Sequence, residues 1–251
     1  MTTSFISRRA LALLVSCSAA MIGSNALAAV TLKTPYVTEG ELEIEYFLSR
    51  TNDDSQRHKT GVGYGVNDFW FVELEGDFRK SEGNHLRFNY LEVENKFQLT
   101  ERGEYWLDVG ANIGYEWTPR TNVADTLKGI FILAKDVGKT SHIVNFVGEK
   151  NVGSGPRDSL EGELLWSSRY RYSTYFEPGF EIFSEFGELK NTGSFNEQEH
   201  SIGPAAYGKI PLGLTKDHAD GLKYRAGYLF GVSDAAADGD AFVQLEYELH
   251  F

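Results

Sequence analysis

The stretch FVQLEYELHF, residues 242–251, alternates apolar and polar side chains almost without a break. Its apolar parity consists of Val243, Leu245, Tyr247, Leu249 and Phe251. Its other parity is polar except at Phe242, and consists of Gln244, Glu246, Glu248 and His250. Because successive side chains of a β-strand point to opposite faces of the sheet, the alternation predicts a strand with one apolar and one charged face.

The same period of two recurs along the chain, between turn-forming clusters such as TNDDSQ (51–56) and NTGSFNEQ (191–198). It predicts twelve strands, near 39–50, 57–66, 69–79, 86–99, 104–117, 126–136, 142–152, 158–171, 175–189, 198–210, 220–232 and 239–251. The registers of 86–99 and 126–152 are ambiguous. Within 86–99 the apolar parity switches between Tyr90 and Leu91, which predicts a β-bulge.

These segments are long for a soluble sheet, whose strands are usually about 5–6 residues, and long enough for the roughly 9–11 residues that cross a bilayer. Aromatic residues flank several of them, as Trp70 and Phe78 or Tyr105 and Trp117 do. An even strand number lets the last strand pair with the first, which leaves no open edge. We therefore predict an all-β, transmembrane, antiparallel up-and-down β-barrel of about 12 strands with short turns and loops; a soluble periplasmic β-domain is the alternative.

Residues 1–28 have the layout of an export signal, with Arg8 and Arg9 before an apolar run and Ala26-Leu27-Ala28 at its end. We expect cleavage between Ala28 and Ala29. Lipidation of Cys17 and a twin-arginine signal are weaker alternatives.

The predicted organisation is thus a cleaved signal peptide (1–28), an N-terminal periplasmic lead-in (29–38) and an outer-membrane β-barrel (39–251).

The formal net charge of −12 disfavours nucleic acid as a partner. The single cysteine lies in the expected signal, so no disulfide, thiolate metal site or cysteine nucleophile is expected in the exported chain. The histidines form no pair at ligand spacing, and we expect neither a metal nor a cofactor.

The charged parity of the predicted strands faces the barrel lumen. The candidate lining residues are Glu41, Glu43, Glu45, Glu73, Glu75, Asp77, Glu161, Glu163, Arg169, Arg171, Glu177, Glu181, Glu185, Lys209, Lys223, Arg225, Glu246 and Glu248. Acidic residues outnumber basic ones, which favours an outer-membrane channel or narrow porin for small solutes, with a preference for cations. The alternative is a closed structural barrel in which these charges pair.

Three glycines of TGVGYGV (60–66), namely Gly61, Gly63 and Gly65, share one parity. They predict either a bare surface for a lumen side chain or solute, or a bend in a curved strand; the bend is favoured.

Outer-membrane lipid-modifying enzymes commonly pair His and Ser as H-x-S, and this sequence has no such motif. Ser141-His142 and His200-Ser201 are adjacent, which in a strand directs their side chains to opposite faces. A barrel enzyme is therefore the least favoured alternative, and we expect no catalytic residues.

The Phe-terminated alternation of 242–251 resembles the C-terminal assembly signal of bacterial outer-membrane proteins. YLEVENKFQLTERGEYWLDVG (90–110), FEPGFEIFSEFGEL (176–189) and LKYRAGYLFGVSD (222–234) resemble segments of poorly characterised proteobacterial barrels, similar to transporters grouped with meta-pathway phenol degradation. These resemblances imply an outer-membrane barrel whose partners are outer-membrane lipid, the barrel-assembly machinery and a small solute. They supply no site residues, and the solute and the oligomeric state stay open.

Overall fold

The computed structural model describes residues 29–153, 160–213 and 220–250. Its antiparallel strands form one closed barrel in which every strand pairs with its neighbours in the chain and the last pairs with the first. The strands are β1 (Glu41–Thr51), β2 (Gln56–Gly65), β3 (Trp70–Lys80), β4 (Arg87–Gln98), β5 (Asp108–Trp117), β6 (Asp125–Val137), β7 (Thr140–Val152), β8 (Glu161–Tyr170), β9 (Glu177–Glu188), β10 (Glu199–Pro211), β11 (Gly221–Gly231) and β12 (Gly239–His250). The predicted all-β barrel of twelve strands is confirmed.

A short 3₁₀-helix, Phe195–Glu197, lies in the β9–β10 connection. No helix in the described part of the chain is long and apolar enough to cross a membrane. The expected signal peptide (1–28), with Cys17, and the last residue, Phe251, lie outside the described residues.

The barrel closes through β1 and β12, where Leu42 lies opposite Leu249 and Glu45 opposite Glu246. We call the end where β1 begins and β12 ends the terminal end, and the opposite one the far end. The apolar parity of the strands faces outward: Ile44, Val62 and Leu74 have 44%, 48% and 49% of their surface exposed. Four residues of the expected assembly signal, Val243, Leu245, Tyr247 and Leu249, share this outer parity.

The predicted strand at 104–117 begins later than expected, at Asp108. Gly103 has a positive φ of 75° in the preceding turn, a conformation that glycine adopts readily. Tyr105 and Trp106 therefore lie in the turn, 60% and 76% exposed, instead of in the strand.

The bulge predicted in 86–99 is present, but one position earlier. Asp77 lies opposite Tyr90 and Phe78 opposite Phe88, which leaves Asn89 as the extra residue. Tyr90 consequently points inward, where Arg57 donates a hydrogen bond of 2.7 Å to its hydroxyl. The strands of 126–152 pair in regular register, from Asp125 opposite Val152 to Val137 opposite Thr140.

The inner parity is not polar throughout. Inward side chains from β1 and from β6 to β12 form an apolar cluster, which we call the apolar wall: Phe47, Ile130, Ile132, Ala134, Ile143, Leu165, Phe183, Ala205, Tyr207, Leu229 and Phe242. Phe242, the misfit of the terminal alternation, is 4% exposed in this wall. The lining is therefore charged on one side and apolar on the other.

Residues 29–38 were expected to be a periplasmic lead-in, and this expectation is wrong: the segment lies inside the barrel. Ala29 and Leu32 belong to the apolar cluster, and Lys33 is 6% exposed. The physical reason is that the inner wall offers hydrogen-bond partners for the backbone of the segment and carboxylates for its lysine. We call residues 29–38 the plug.

Candidate functional site

The plug crosses the interior from Thr38 at the terminal end towards Ala29, which lies deep in the barrel. The Ala29 backbone N–H donates to the Asp240 carboxylate at 2.9 Å. Halfway along, the Lys33 N–H donates to Asn145 Oδ1 and the Asn145 amide donates to the Lys33 carbonyl, both at 2.9 Å. Asn145 thus pairs with the plug as a neighbouring strand would.

The Lys33 side chain ties the plug to the charged side of the interior. Its ammonium lies 2.8 Å from both Glu73 and Glu94. Burial alone would lower the pKa of Lys33, but the carboxylates of Glu73 and Glu94 outweigh it and hold this pKa well above its usual value. Lys33 is therefore a fixed cation between two strands.

Nearer the terminal end, the Tyr36 hydroxyl donates to Asp108 at 2.8 Å, and the Arg102 guanidinium lies 4.6 Å from the centre of the tyrosine ring. The Val37 N–H donates to Gln98 Oε1 at 2.8 Å. Polar side chains of the barrel therefore hold this part of the plug as well.

Two glycines let the plug approach the wall closely. A Cβ on Gly65 would overlap the carbonyl oxygen of Thr38, and a Cβ on Gly110 would lie 2.8 Å from Pro35. The glycines of 60–66 therefore form a bare surface: the plug lies against Gly65, and the Glu73 carboxylate lies against Gly61. These close contacts account for the glycines without the strand bend that the sequence favoured.

Inward charges of β2 to β6 form what we call the charged wall. Lys59 pairs with Glu75, and Lys128 pairs with Glu92 and, at 2.8 Å, with Glu94. All five residues are buried. This part of the lumen is therefore filled by ion pairs, one between the neighbouring strands β2 and β3 and the others between β6 and β4, across β5.

Arg225 links the plug to the apolar side. It donates to Glu181 at 2.6 Å, to Gln244 at 2.9 Å and to the Val30 carbonyl at 2.9 Å. The Tyr207 hydroxyl donates to Glu181 at 2.6 Å. The guanidinium thus joins two strands and the plug at one point.

A cavity of about 400 Å³ remains in the terminal half of the barrel, bounded on its inner side by Leu32 and Lys33 of the plug. Carboxylates from β1 and β12 form one of its sides; they belong to Glu41, Glu43, Glu45, Glu246 and Glu248. Lys209 and Lys223 also line it, and both contact Glu248. The cavity is therefore acidic and lies between the plug, which lines it from Leu32 to Thr38, and the inner wall.

Not all sequence-predicted lining residues meet in this cavity. Those that line it are Glu41, Glu43, Glu45, Glu73, Arg169, Glu177, Lys209, Lys223, Arg225, Glu246 and Glu248. Glu75, Asp77 and Glu181 are buried in ion pairs away from it. Those on the inner parity towards the far end are Glu161, Glu163 and Glu185.

Arg171 is the residue that the structure does not place on the inner face. It follows the end of β8 and pairs at 2.8 Å with Asp136, which is exposed in the terminal part of β6. Arg169, two residues earlier, does face inward and pairs with Glu177 at 3.2 Å. The strand ends too early to carry the second arginine into the lumen.

One His–Ser pair could not be seen from sequence spacing, because it forms across β9 and β10. His200 Nδ1 lies 2.9 Å from Ser184 Oγ, and His200 Nε2 lies 3.1 Å from Gln198 Oε1. The Phe195 ring stacks on the imidazole with the ring centres 4.2 Å apart. These contacts fasten the 3₁₀-helix to the outer side of the barrel.

No family model matches the chain, and no curated protein matches it. Among solved structures, it is similar to one from work on the in-meso crystallization of membrane proteins (13% identity, 83% of this chain and 84% of that one, TM-score 0.48). It is similar to OccK11 (OpdR) of Pseudomonas aeruginosa (11% identity, 84% and 67%, TM-score 0.40). It is also similar to OmpT, an outer membrane protein of Vibrio cholerae (12% identity, 83% and 98%, TM-score 0.36). At such low identities and TM-scores, none of these similarities identifies a function for this chain.

Proposed function

We propose that the protein spans an outer membrane and passes small solutes through a lumen that the plug closes at rest. The outward faces of the strands support the membrane location, because apolar side chains such as Val62 and Leu74 would otherwise meet water around the whole barrel. Ring closure supports it as well, since every strand edge is paired.

The observation that carries the transport role is the acidic cavity of about 400 Å³ between the plug and the inner wall. A barrel built only as a scaffold needs no such space. The plug is held by side-chain hydrogen bonds and by Lys33, without being part of the sheet, so it can leave without breaking a strand pair. A transporter of the type grouped with meta-pathway phenol degradation stays a prediction.

A closed structural barrel is the second candidate, and the apolar wall favours it. Phe47, Ile132 and Phe183 are at most 1% exposed inside the barrel, as in the core of a soluble protein. Displacing the plug would uncover part of this surface, which opposes opening.

Conductance in planar bilayers distinguishes the two candidates. We expect rare openings of the wild type and more frequent ones of Lys33→Met, because the change leaves the buried Glu73 without its cation and Glu94 with Lys128 alone, a loss of about 3–5 kcal/mol for a buried pair. Lys190→Met, at an exposed turn position, is the matched control and should behave as wild type. The conducting variant should prefer cations in a salt gradient.

If neither protein conducts although gel migration shows a folded, heat-modifiable barrel, the transport role is wrong and the structural candidate stands. Recovery of the protein from the soluble periplasmic fraction, instead of from outer membranes, would contradict the proposed location.

A further inference from the structure

Two pairs of glutamates lie directly opposite each other where the barrel closes. Glu43 is opposite Glu248 and Glu45 is opposite Glu246. Carboxylate oxygens of Glu43, Glu45 and Glu246 all lie within 4.8 Å of one another. Like charges directly opposite in a sheet repel, so this arrangement needs a compensating charge.

The charged wall contains a similar group that is already compensated. Oxygens of Glu75, Glu92 and Glu94 also lie within 4.8 Å of one another. Lys59 and Lys128 reach into that group and Lys33 contacts Glu94, so three ammonium groups face the three carboxylates. Lysines therefore compensate the carboxylates that lie close together on β3 and β4.

The group of Glu43, Glu45 and Glu246 is compensated only at Glu246, which Lys223 contacts at 3.7 Å. In the described part of the chain, neither Glu43 nor Glu45 has an ion pair, and Glu45, 3% exposed, has a buried Oε1 without a hydrogen-bond partner. The nearby ammonium groups do not contact Glu43 or Glu45: Lys33 contacts Glu73 and Glu94, and Lys223 contacts Glu248 more closely than Glu246.

We propose that Glu43, Glu45 and Glu246 bind a divalent cation inside the barrel. Oxygens up to 4.8 Å apart fit around one Ca²⁺ ion, which takes oxygen ligands at about 2.3–2.6 Å. All three residues line the cavity, so water can complete the six to eight ligands that Ca²⁺ usually takes. The site requires the folded barrel but not solute transport, so it stands apart from the proposed function.

The test is calorimetric titration of CaCl₂ into the chelator-treated, refolded protein in a non-ionic detergent. Wild type should bind saturably, and Glu45→Gln should bind roughly tenfold or more weakly, because a charged ligand is lost. Glu246→Gln should weaken binding similarly. Glu92→Gln is the matched control, since it removes a charge from the group that lysines already neutralise, and its affinity should equal that of wild type.

Folding of each variant is checked by heat-modifiable migration, and Mn²⁺ binding followed by electron paramagnetic resonance gives a second measurement that does not depend on heat signals. The absence of saturable binding to folded wild-type protein would overturn the proposal. Equal affinity of wild type and Glu45→Gln would also overturn it, because the ion would then bind elsewhere.

Discussion

The two walls of the barrel interior arise from the same alternation of side chains, yet they are filled in opposite ways. On the charged wall, buried carboxylates such as Glu75 and Glu92 need lysines to compensate them. On the apolar wall, side chains such as Phe183 and Leu229 are fully buried without any polar partner. The plug matches both, because Leu32 joins the apolar cluster while Lys33 binds the carboxylates.

This difference predicts that one wall stabilises the barrel and that the other sets the position of the plug and the charge of the lumen. Burying an aromatic or aliphatic side chain contributes about 1.5–3 kcal/mol, whereas the desolvation of a buried ion pair offsets much of its attraction. The apolar wall should therefore hold the barrel together, and the charged wall should fix the register of the plug and the charge of the lumen. Variants on the two walls and in the plug test this difference in roles.

The largest effect is expected on the apolar wall. Phe47→Ala should destabilise the folded barrel by about 3–5 kcal/mol, because the ring is completely buried and its removal leaves a void. Urea unfolding in detergent, followed by tryptophan fluorescence, measures the change. The control is Phe131→Ala on the outer face, where the ring is 47% exposed and a smaller loss is expected.

Equal losses in the two variants would show that the interior is not packed as a core. The division between the walls would then be wrong, and stability would lie in the strand pairing alone.

The sequence predicted the barrel well because alternation is a local signal. Strand number, closure and the outer face follow from it, and the structure agrees within a few residues at most strand ends. The apolar wall is also visible in the sequence, since Phe47, Phe183 and Phe242 each interrupt the polar parity of a strand. What alternation cannot show is that these interruptions meet in space.

The plug was missed because its contacts are distant in the chain. VTLKTPYV (30–37) is too short and too weakly patterned to be told apart from a linker. Its partners, among them Asn145 and Gln244, belong to strands that only the closed barrel brings around it. The cation-binding group depends on closure in the same way, since it joins the first strand to the last.

A smaller effect, on the docking of the plug, is expected at Gly65, where the plug lies against the barrel wall. Gly65→Ala should weaken plug docking by about 1–3 kcal/mol, because the new Cβ would overlap the Thr38 carbonyl. The maleimide labelling rate of Leu32→Cys, placed in the same chain, measures exposure of the plug. Gly129→Ala is the control, since a Cβ there has no neighbour within 4 Å.

If labelling is equally slow in both glycine variants, the contact at Thr38 does not determine docking. The charged contacts of Lys33 would then be the main attachment of the plug.

The smallest effect is expected at the inner end of the plug, where the Ala29 nitrogen lies 2.9 Å from Asp240. Cleavage after Ala28, as the sequence predicts, would turn this nitrogen into an ammonium group facing a carboxylate that is 1% exposed. Asp240→Asn keeps an acceptor but removes the charge, so docking should weaken by about 1 kcal/mol. The labelling rate of Leu32→Cys should then rise about fivefold.

A refolded chain with one extra residue before Ala29 is the matched control, because it moves the ammonium away while Asp240 keeps its charge. It should label as fast as Asp240→Asn, and combining both changes should add little, since either one already removes the same ion pair. If the extra residue changes nothing, the Ala29 nitrogen contributes only an ordinary hydrogen bond. The plug would then be held by Lys33, its hydrogen bonds to the barrel and the apolar wall, without an ion pair at Ala29.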